Sequence, residues 1–330
     1  MTNTTFSALV ARNDDGHSVA YESLSDADLG DADVTIAVEY STLNYKDGLA
    51  VTGAAPIVQQ YPLILGIDLA GTVEQSGHAE FAVGDRVVLN GYGASEFLNG
   101  GYTQRARVKG DLLVKLPDGL TTRQAMAIGT AGYTAMLCVL ALEEGGVKPG
   151  DGEVLVTGAA GGVGSVALAL LRTLGYRTVA STGRASESAF LQQLGANEVM
   201  DRTALSERGK PLQKERWAGV VDCVGSQTLA NCLAQTRYGG VVAACGLAQG
   251  ADLPATVMPF ILRSVRLQGV DSVQAPMARR LEAWSRLARD LDIQALESLS
   301  FDLPFSQLLE RAPDILAGKI RGRAIIDLSG

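Results

Sequence analysis

The residues best arranged for chemistry lie in mid-chain, where the apolar run Val154-Leu155-Val156 leads through Thr157-Gly158-Ala159-Ala160-Gly161-Gly162-Val163-Gly164. A strand entering a glycine-rich turn and then a helix is suited to holding phosphate. Gly161 and Gly162 admit a pyrophosphate close to the backbone, Gly164 lets the helix pack on the strand, and the helix N-terminus offers free N–H groups and a positive dipole. Ala159 replaces the first glycine of the G-x-G-x-x-G fingerprint, so the reading rests on the surrounding strand–helix pattern as much as on the glycines. The plain alternative is a tight turn without a ligand.

About 20 residues further on, a chain that uses NAD carries an Asp or Glu for the ribose hydroxyls. Here the second strand ends in Ala180-Ser181-Thr182-Gly183-Arg184, with no acid to repel a phosphate. Ser181 and Thr182 can donate hydrogen bonds, and Arg184 can make charge-assisted contacts to a 2′-phosphate. The expected cofactor is therefore NADPH. Arg202, after the third strand, is a further candidate for the same pocket, with a solvated surface charge as its alternative.

The elements around this turn alternate as strand, helix, strand. Thr178-Val179-Ala180, Glu198-Val199-Met200, Gly219-Val220-Val221-Asp222 and Gly240-Val241-Val242-Ala243 read as strands; 164–175 and 186–195 read as helices. Such alternation implies a parallel sheet covered by helices. Leu267-Gln268-Gly269-Val270 is a candidate sixth strand and 277–291 an amphipathic helix. Between Phe6 and Lys115 the pattern is instead short β-type runs, among them Val34 to Tyr40, Gly71-Thr72-Val73 and Arg86 to Leu89. Thr121 and Gln124 form a capping-box pattern before a helix containing Met126 to Leu142. The strand Ala324 to Asp327 is placed back in the first domain.

Bulk properties narrow the function classes. The 330 residues suit two domains rather than one core, and a formal net charge of −8 argues against nucleic acid or an anionic membrane as the main partner. The most membrane-like run, Met126 to Leu142, is interrupted by Gly129 to Thr134 and reads as a buried helix. The cysteines, Cys138, Cys223, Cys232 and Cys245, lack C-x-x-C spacing and read as free thiols. The N-terminus from Met1 has no signal-peptide pattern, and the expected location is the cytoplasm.

These residues, with Val83-Gly84-Asp85-Arg86-Val87 and the Gly129 to Thr134 segment, resemble the medium-chain dehydrogenase/reductase superfamily, in its quinone oxidoreductase-like branch. More narrowly, Leu43-Asn44-Tyr45-Lys46-Asp47, the run Pro62 to Gly71, Pro259-Phe260-Ile261-Leu262-Arg263, Leu267 to Ser272 and Ile320-Arg321-Gly322-Arg323 resemble the acrylyl-CoA reductase (NADPH) family. The resemblance implies an α/β protein with a GroES-like, β-rich catalytic domain (1–124 and 297–330) and a Rossmann domain (125–296) with a doubly wound parallel sheet. It implies a cofactor cleft between domains, a homodimer, and reduction of acrylyl-CoA to propionyl-CoA. It further implies that Tyr45, Ala160, Gly161, Gly162, Val163, Thr182, Gly183, Arg184, Arg202, Leu247, Ile261 and Ser272 line the NADPH site.

Zinc-dependent relatives need Cys, His and Glu around the metal. This chain has only His17 and His78, no Cys before Cys138, and Gly66-Ile67-Asp68 where those relatives read Gly-His-Glu. No metal is expected. Without one, the chemistry expected is hydride addition to the β-carbon of an enoyl thioester, with donors at the enolate oxygen and a proton to the α-carbon. Candidate catalytic residues are Asn44 and Tyr45 as donors, with Lys46 and Asp47 as neighbours that position their loop, and Tyr92 as a proton source. A loop aromatic is the alternative for Tyr92, and a turn cap for Asp47 and Asn44. For the phosphates of coenzyme A, Arg323 is the preferred contact among Arg263, Arg266, Lys319, Arg321 and Arg323. Competing readings are a quinone or enone reductase acting on small conjugated carbonyls, and a non-catalytic NADPH-binding sensor.

Overall fold

The β-type runs of the N-terminal third form strands because their apolar residues alternate onto one buried face. In Val34–Leu43, for example, Val34, Ile36 and Val38 are buried. A computed structural model describes residues 5–329; the reading of Met1 to Thr4 lies outside the described residues. The chain divides into two units. The first takes the chain up to Thr130, Ser272–Ala288 and the chain from Leu299; the second takes Ala131–Asp271 and Arg289–Ser298.

In the first unit one sheet runs in the order Ser300–Pro304, Arg323–Asp327, Val34–Leu43, Asp68–Ser76, Arg86–Asn90, Val114–Lys115, with Arg105–Val108 paired to Val34–Leu43. A smaller sheet joins Ser18–Leu24, Phe6–Arg12 and Leu63–Ile64. Leu9, Ile36, Leu65, Leu69, Val87, Tyr102 and Ile326 meet in one core. Each such aliphatic side chain contributes about 1.5–3 kcal/mol by leaving water. The terminal strand pairs antiparallel with Tyr40 to Leu43, which brings Arg323 to the residues next to Asn44.

The second unit is a six-stranded parallel sheet in the order Glu198–Asp201, Arg177–Thr182, Glu153–Val156, Trp217–Asp222, Thr236–Ala244, Arg266–Gly269. Numbered along the chain these are strands 3-2-1-4-5-6, the doubly wound order, and the sixth strand read from the sequence is present. The order reverses beside Glu153–Val156, the kind of position at which doubly wound sheets bind ligands. The glycine-rich turn follows that strand.

The helix Thr122–Glu144 opens on the expected capping box: Thr121 Oγ1 accepts from Gln124 N at 3.1 Å, and Gln124 Oε1 accepts from Thr121 N at 3.0 Å. It kinks at Gly129, whose φ of 49° an L side chain rarely adopts. Although the helix is long and apolar enough to cross a membrane, 94% of its most apolar stretch is buried. The division of the units differs from the 124/125 and 296/297 boundaries read from the sequence. It falls after Thr130, whose backbone N–H binds Asp68, and Ser272–Ala288 belongs with the first unit because Arg280 and Trp284 bind Asn90 there.

Candidate functional site

In the first unit the chemistry-bearing residues form a buried polar network. Asp68 stands in the apolar run Leu63 to Ala70 and is 1% exposed. A carboxylate so placed needs a partner for every lone pair it presents. Its Oδ2 accepts from Asn44 Nδ2 at 2.8 Å and Thr130 N at 2.8 Å; its Oδ1 accepts from Asn90 Nδ2 at 2.7 Å and Thr130 Oγ1 at 2.6 Å. Asn90 Oδ1 in turn accepts from Trp284 Nε1 at 3.2 Å.

Asn44 caps the helix Tyr45–Thr52, and Asp47 closes its capping box by accepting from Asn44 N at 2.9 Å. Asp47 also accepts from Ile67 N at 2.9 Å and Asn44 Nδ2 at 3.1 Å. It is fully buried, and desolvation, followed by the negative charge of Asp68, pushes its carboxyl up to about 7. These residues are therefore a helix start rather than a loop. Both Asn44 amide hydrogens are committed inside the protein, so Asn44 is a cap and not the enolate donor expected from sequence.

Arg323 is also corrected. It is 2% exposed, and its guanidinium donates to Ala127 O at 2.9 Å, Asn44 Oδ1 at 3.1 Å and Thr42 Oγ1 at 2.9 Å. Burial lowers its pKa, with the charges of Asp68 and Asp47 opposing the shift. A guanidinium enclosed by such acceptors cannot reach a coenzyme phosphate.

Tyr92 takes a positive φ of 53°, donates its hydroxyl hydrogen to Ala275 O at 3.0 Å, and lies under the Arg280 guanidinium at 3.6 Å from the ring centroid. Its hydroxyl is committed, which favours the loop-aromatic reading. Tyr45 stands apart: it is 45% exposed on the first turn of its helix, and its hydroxyl makes no hydrogen bond among the described residues. Ser272 is in the first unit and uses its carbonyl to accept from Arg280.

In the second unit, Glu153–Val156 leads into the turn and Gly162–Thr173 forms the helix, with Gly161 at its cap. A Cβ on Gly164 would lie 2.6 Å from Ala159 Cα and 2.6 Å from Gly158 O, so only glycine fits there. Thr157 Oγ1 donates to Asp222 Oδ1 at 2.7 Å and accepts from Cys223 N at 3.0 Å, which ties the two strands flanking the reversal of order. The first turn of the helix leaves its N–H groups for a ligand.

Arg177–Thr182 ends beside this turn: Ser181 O accepts from Ala159 N, and the Arg184 guanidinium lies 3.4 Å from Ala160 O. Gly183 lies under Arg202, since a Cβ there would meet Arg202 Nε at 2.5 Å. Two guanidinium groups thus flank the end of the second strand, with Ser181 and Thr182 buried between strand and turn. Leu247 and Ile261 are apolar side chains 61% and 71% exposed.

The sequence reading missed Asp68, Asn90, Thr130, Arg280 and Trp284 as one network. The available signal was Asp68 itself, an acid within an apolar strand.

Comparison with known proteins agrees with both halves. Residues 30–118 match the alcohol dehydrogenase GroES-like domain and residues 162–289 the zinc-binding dehydrogenase family. Acrylyl-CoA reductase AcuI of Ruegeria pomeroyi is 52% identical over 98% of this chain and 99% of its own. The crystal structure of Escherichia coli K-12 YhdH with bound NADPH has a TM-score of 0.95 and 50% identity, covering 97% of this chain and 99% of that one. Bacillus subtilis yhfP, solved with NAD bound, has a TM-score of 0.95 and 45% identity, covering 98% of this chain and 100% of that one. Its curated name is putative quinone oxidoreductase.

A GroES-like domain and a Rossmann domain in one chain define the medium-chain dehydrogenase/reductase superfamily. Within that class, the chain belongs to the acrylyl-CoA reductase family.

One family description mentions zinc, and the donor set does not fit it. Both Asp68 oxygens are taken by N–H and O–H donors, and a guanidinium stands against Asn44 and Thr42 beside them. Among the described residues no group of three or more His, Cys, Asp or Glu side chains is placed to hold a metal ion.

Proposed function

We propose that this chain is an NADPH-dependent, zinc-independent acrylyl-CoA reductase, which reduces the carbon–carbon double bond of acrylyl-CoA to give propionyl-CoA. The observation that carries the cofactor half is the end of the second strand: Ser181, Thr182 and two arginines, Arg184 and Arg202, stand where an NAD enzyme places an acid. The relatives named above carry the substrate half.

The residues fit the dinucleotide. Ala160, Gly161, Gly162 and Val163 would hold the pyrophosphate at the helix N-terminus, Ser181 to Arg184 with Arg202 the 2′-phosphate, and Leu247, Ile261, Ser272 and Tyr45 the remainder. NADPH supplies the hydride that reaches the β-carbon. The thioester carbonyl spreads the resulting negative charge, so the protein needs a hydrogen-bond donor rather than a Lewis acid at that oxygen. Tyr45 is the donor we assign. Asn44, Asp47, Asp68 and Arg323 position its helix, and a rigid start to that helix fixes where the hydroxyl stands.

The first unit serves as the catalytic domain and the second as the NADPH-binding domain. We also propose a cytoplasmic homodimer. Supporting the dimer, Arg266–Gly269 is an edge strand, and Val257 and Leu262 are exposed nearby in sequence. A quinone or enone reductase is the second reading, favoured by the curated name of YhfP.

The test uses NADPH deuterated at its transferable position. The reading predicts propionyl-CoA with deuterium on the β-carbon. Deuterium on the α-carbon, or no saturated thioester while a small quinone is reduced, would falsify it.

A further inference from the structure

The cofactor turn leaves one group of reactive side chains without a role. Cys223 directly follows Trp217–Asp222, and Cys245 directly follows Thr236–Ala244. These strands are parallel neighbours with Asp222 opposite Ala244, so the two cysteines stand side by side in register. Their sulfurs are 3.9 Å apart. Both are partly exposed, whereas Cys138 and Cys232 are buried. Cys245 also lines an open pocket with Gly225, Gly246, Leu247 and Val270.

We propose that Cys223 and Cys245 form a peroxide-oxidisable dithiol whose closure to a disulfide reshapes the Leu247 pocket and weakens NADPH binding. Neighbouring strands lie about 4.8 Å apart, within the span a disulfide bridges, and the sulfurs need to approach by only about 2 Å. Protonated, Cys245 donates to Asp222 O at 3.3 Å. Ionised, its sulfur accepts from the thiols of Cys138 and Cys223, which holds its pKa well below the ordinary thiol value. A thiolate is the attacking form.

The chemistry balances with hydrogen peroxide as oxidant. Cys245 thiolate attacks one peroxide oxygen, the O–O bond breaks, and hydroxide leaves to become water. Cys223 sulfur then attacks the resulting sulfenic sulfur; the S–O bond breaks, and the leaving hydroxide takes the Cys223 thiol proton as water. Two thiols lose two electrons and two protons, and one peroxide becomes two waters.

Closure acts on the pocket through Gly246, which packs so tightly on Cys223 O that a Cβ would not fit between them. Drawing Cys245 toward Cys223 shifts Gly246 and the attached Leu247.

The full chain, with its four cysteines, is treated with graded hydrogen peroxide, and free thiols, intact mass and cross-linked peptides are measured. We expect the count to fall from four to two, the mass to fall by two hydrogens, and the bond to join Cys223 and Cys245. NADPH affinity should fall about tenfold or more, a change of about 1.4 kcal/mol, and recover with dithiothreitol. Cys223→Ser should stop the reaction at an uncross-linked Cys245 sulfenic acid and retain NADPH affinity. Four thiols left intact, a bond to Cys138 or Cys232, or a disulfide with unchanged NADPH affinity overturns the proposal. The affinity readout rests on the NADPH reading, and the thiol count does not; an untreated chain that fails to bind NADPH identifies failure of that reading separately.

Discussion

Arg323 Nη1 donates to Asn44 Oδ1 at 3.1 Å, so a strand 279 residues away in sequence holds the cap of the helix that carries Tyr45. The same guanidinium offsets two buried carboxylates, Asp47 and Asp68. The site in the first unit therefore depends on a closed set of buried partners.

Arg323→Lys tests that dependence. An ammonium cannot reach three separate acceptors as a planar fork does. We expect a loss of about 3–5 kcal/mol, the range for a broken buried charge pair, read as a lowered urea midpoint at constant m-value. A raised KM for the thioester at unchanged stability would return Arg323 to the substrate site.

Asp47 predicts a pH dependence. Its carboxyl is near the ordinary value of 3.8 when unfolded and about 7 when folded. Below both values it is protonated in either state and contributes nothing to the slope. Between them the unfolded chain releases the proton while the folded chain keeps it, so stability falls as pH rises. Above about 7 the loss is complete, at about 4 kcal/mol. Asp47→Asn removes this titration: the stability of the parent relative to the variant should decline between pH 4 and 7 and then level off. A constant difference across that interval would place the Asp47 pKa near its ordinary value.

Arg184→Ala tests cofactor choice. A hydrogen bond to a charged group contributes about 1.5–3 kcal/mol, so KM for NADPH should rise about 10- to 100-fold while that for NADH changes little. Equal losses for both would move Arg184 away from the 2′-phosphate.

Gly164→Ala tests the turn. Because its Cβ would meet backbone at 2.6 Å, the turn must distort. We expect NADPH binding to weaken at least tenfold, about 1.4 kcal/mol, by calorimetric titration. Retained affinity would show that the turn does not hold the pyrophosphate.

The Rossmann half was legible because its signals are local: apolar strands, a glycine-rich turn, and an Arg at the end of the second strand. Ser181 and Arg184 lie beside that turn and Arg202 beside Gly183, as the strand order leads one to expect. The capping box at Thr121 and Gln124 was legible for the same reason. The network around Asp68 was not. Its partners come from residues 44, 90, 130 and 323, and no local pattern pairs an Asn44 amide with an acid 24 residues away. Arg323 reads as a phosphate contact because the short return segment passes close to the first domain; the pairing of Arg323–Asp327 with Tyr40 to Leu43 instead turns its side chain into that domain's interior. The return of Ser272–Ala288 to the first unit was hidden likewise, since it depends on Arg280 and Trp284 finding Asn90.

The central claim is tested most directly by following nicotinamide absorbance after acrylyl-CoA is added to the purified protein with NADPH or NADH, with and without a chelator. The account predicts rapid oxidation of NADPH, little of NADH, and no effect of the chelator. NADPH oxidised by small quinones or enones but not by acrylyl-CoA would contradict the substrate assignment, and turnover abolished by the chelator would contradict the zinc-free mechanism.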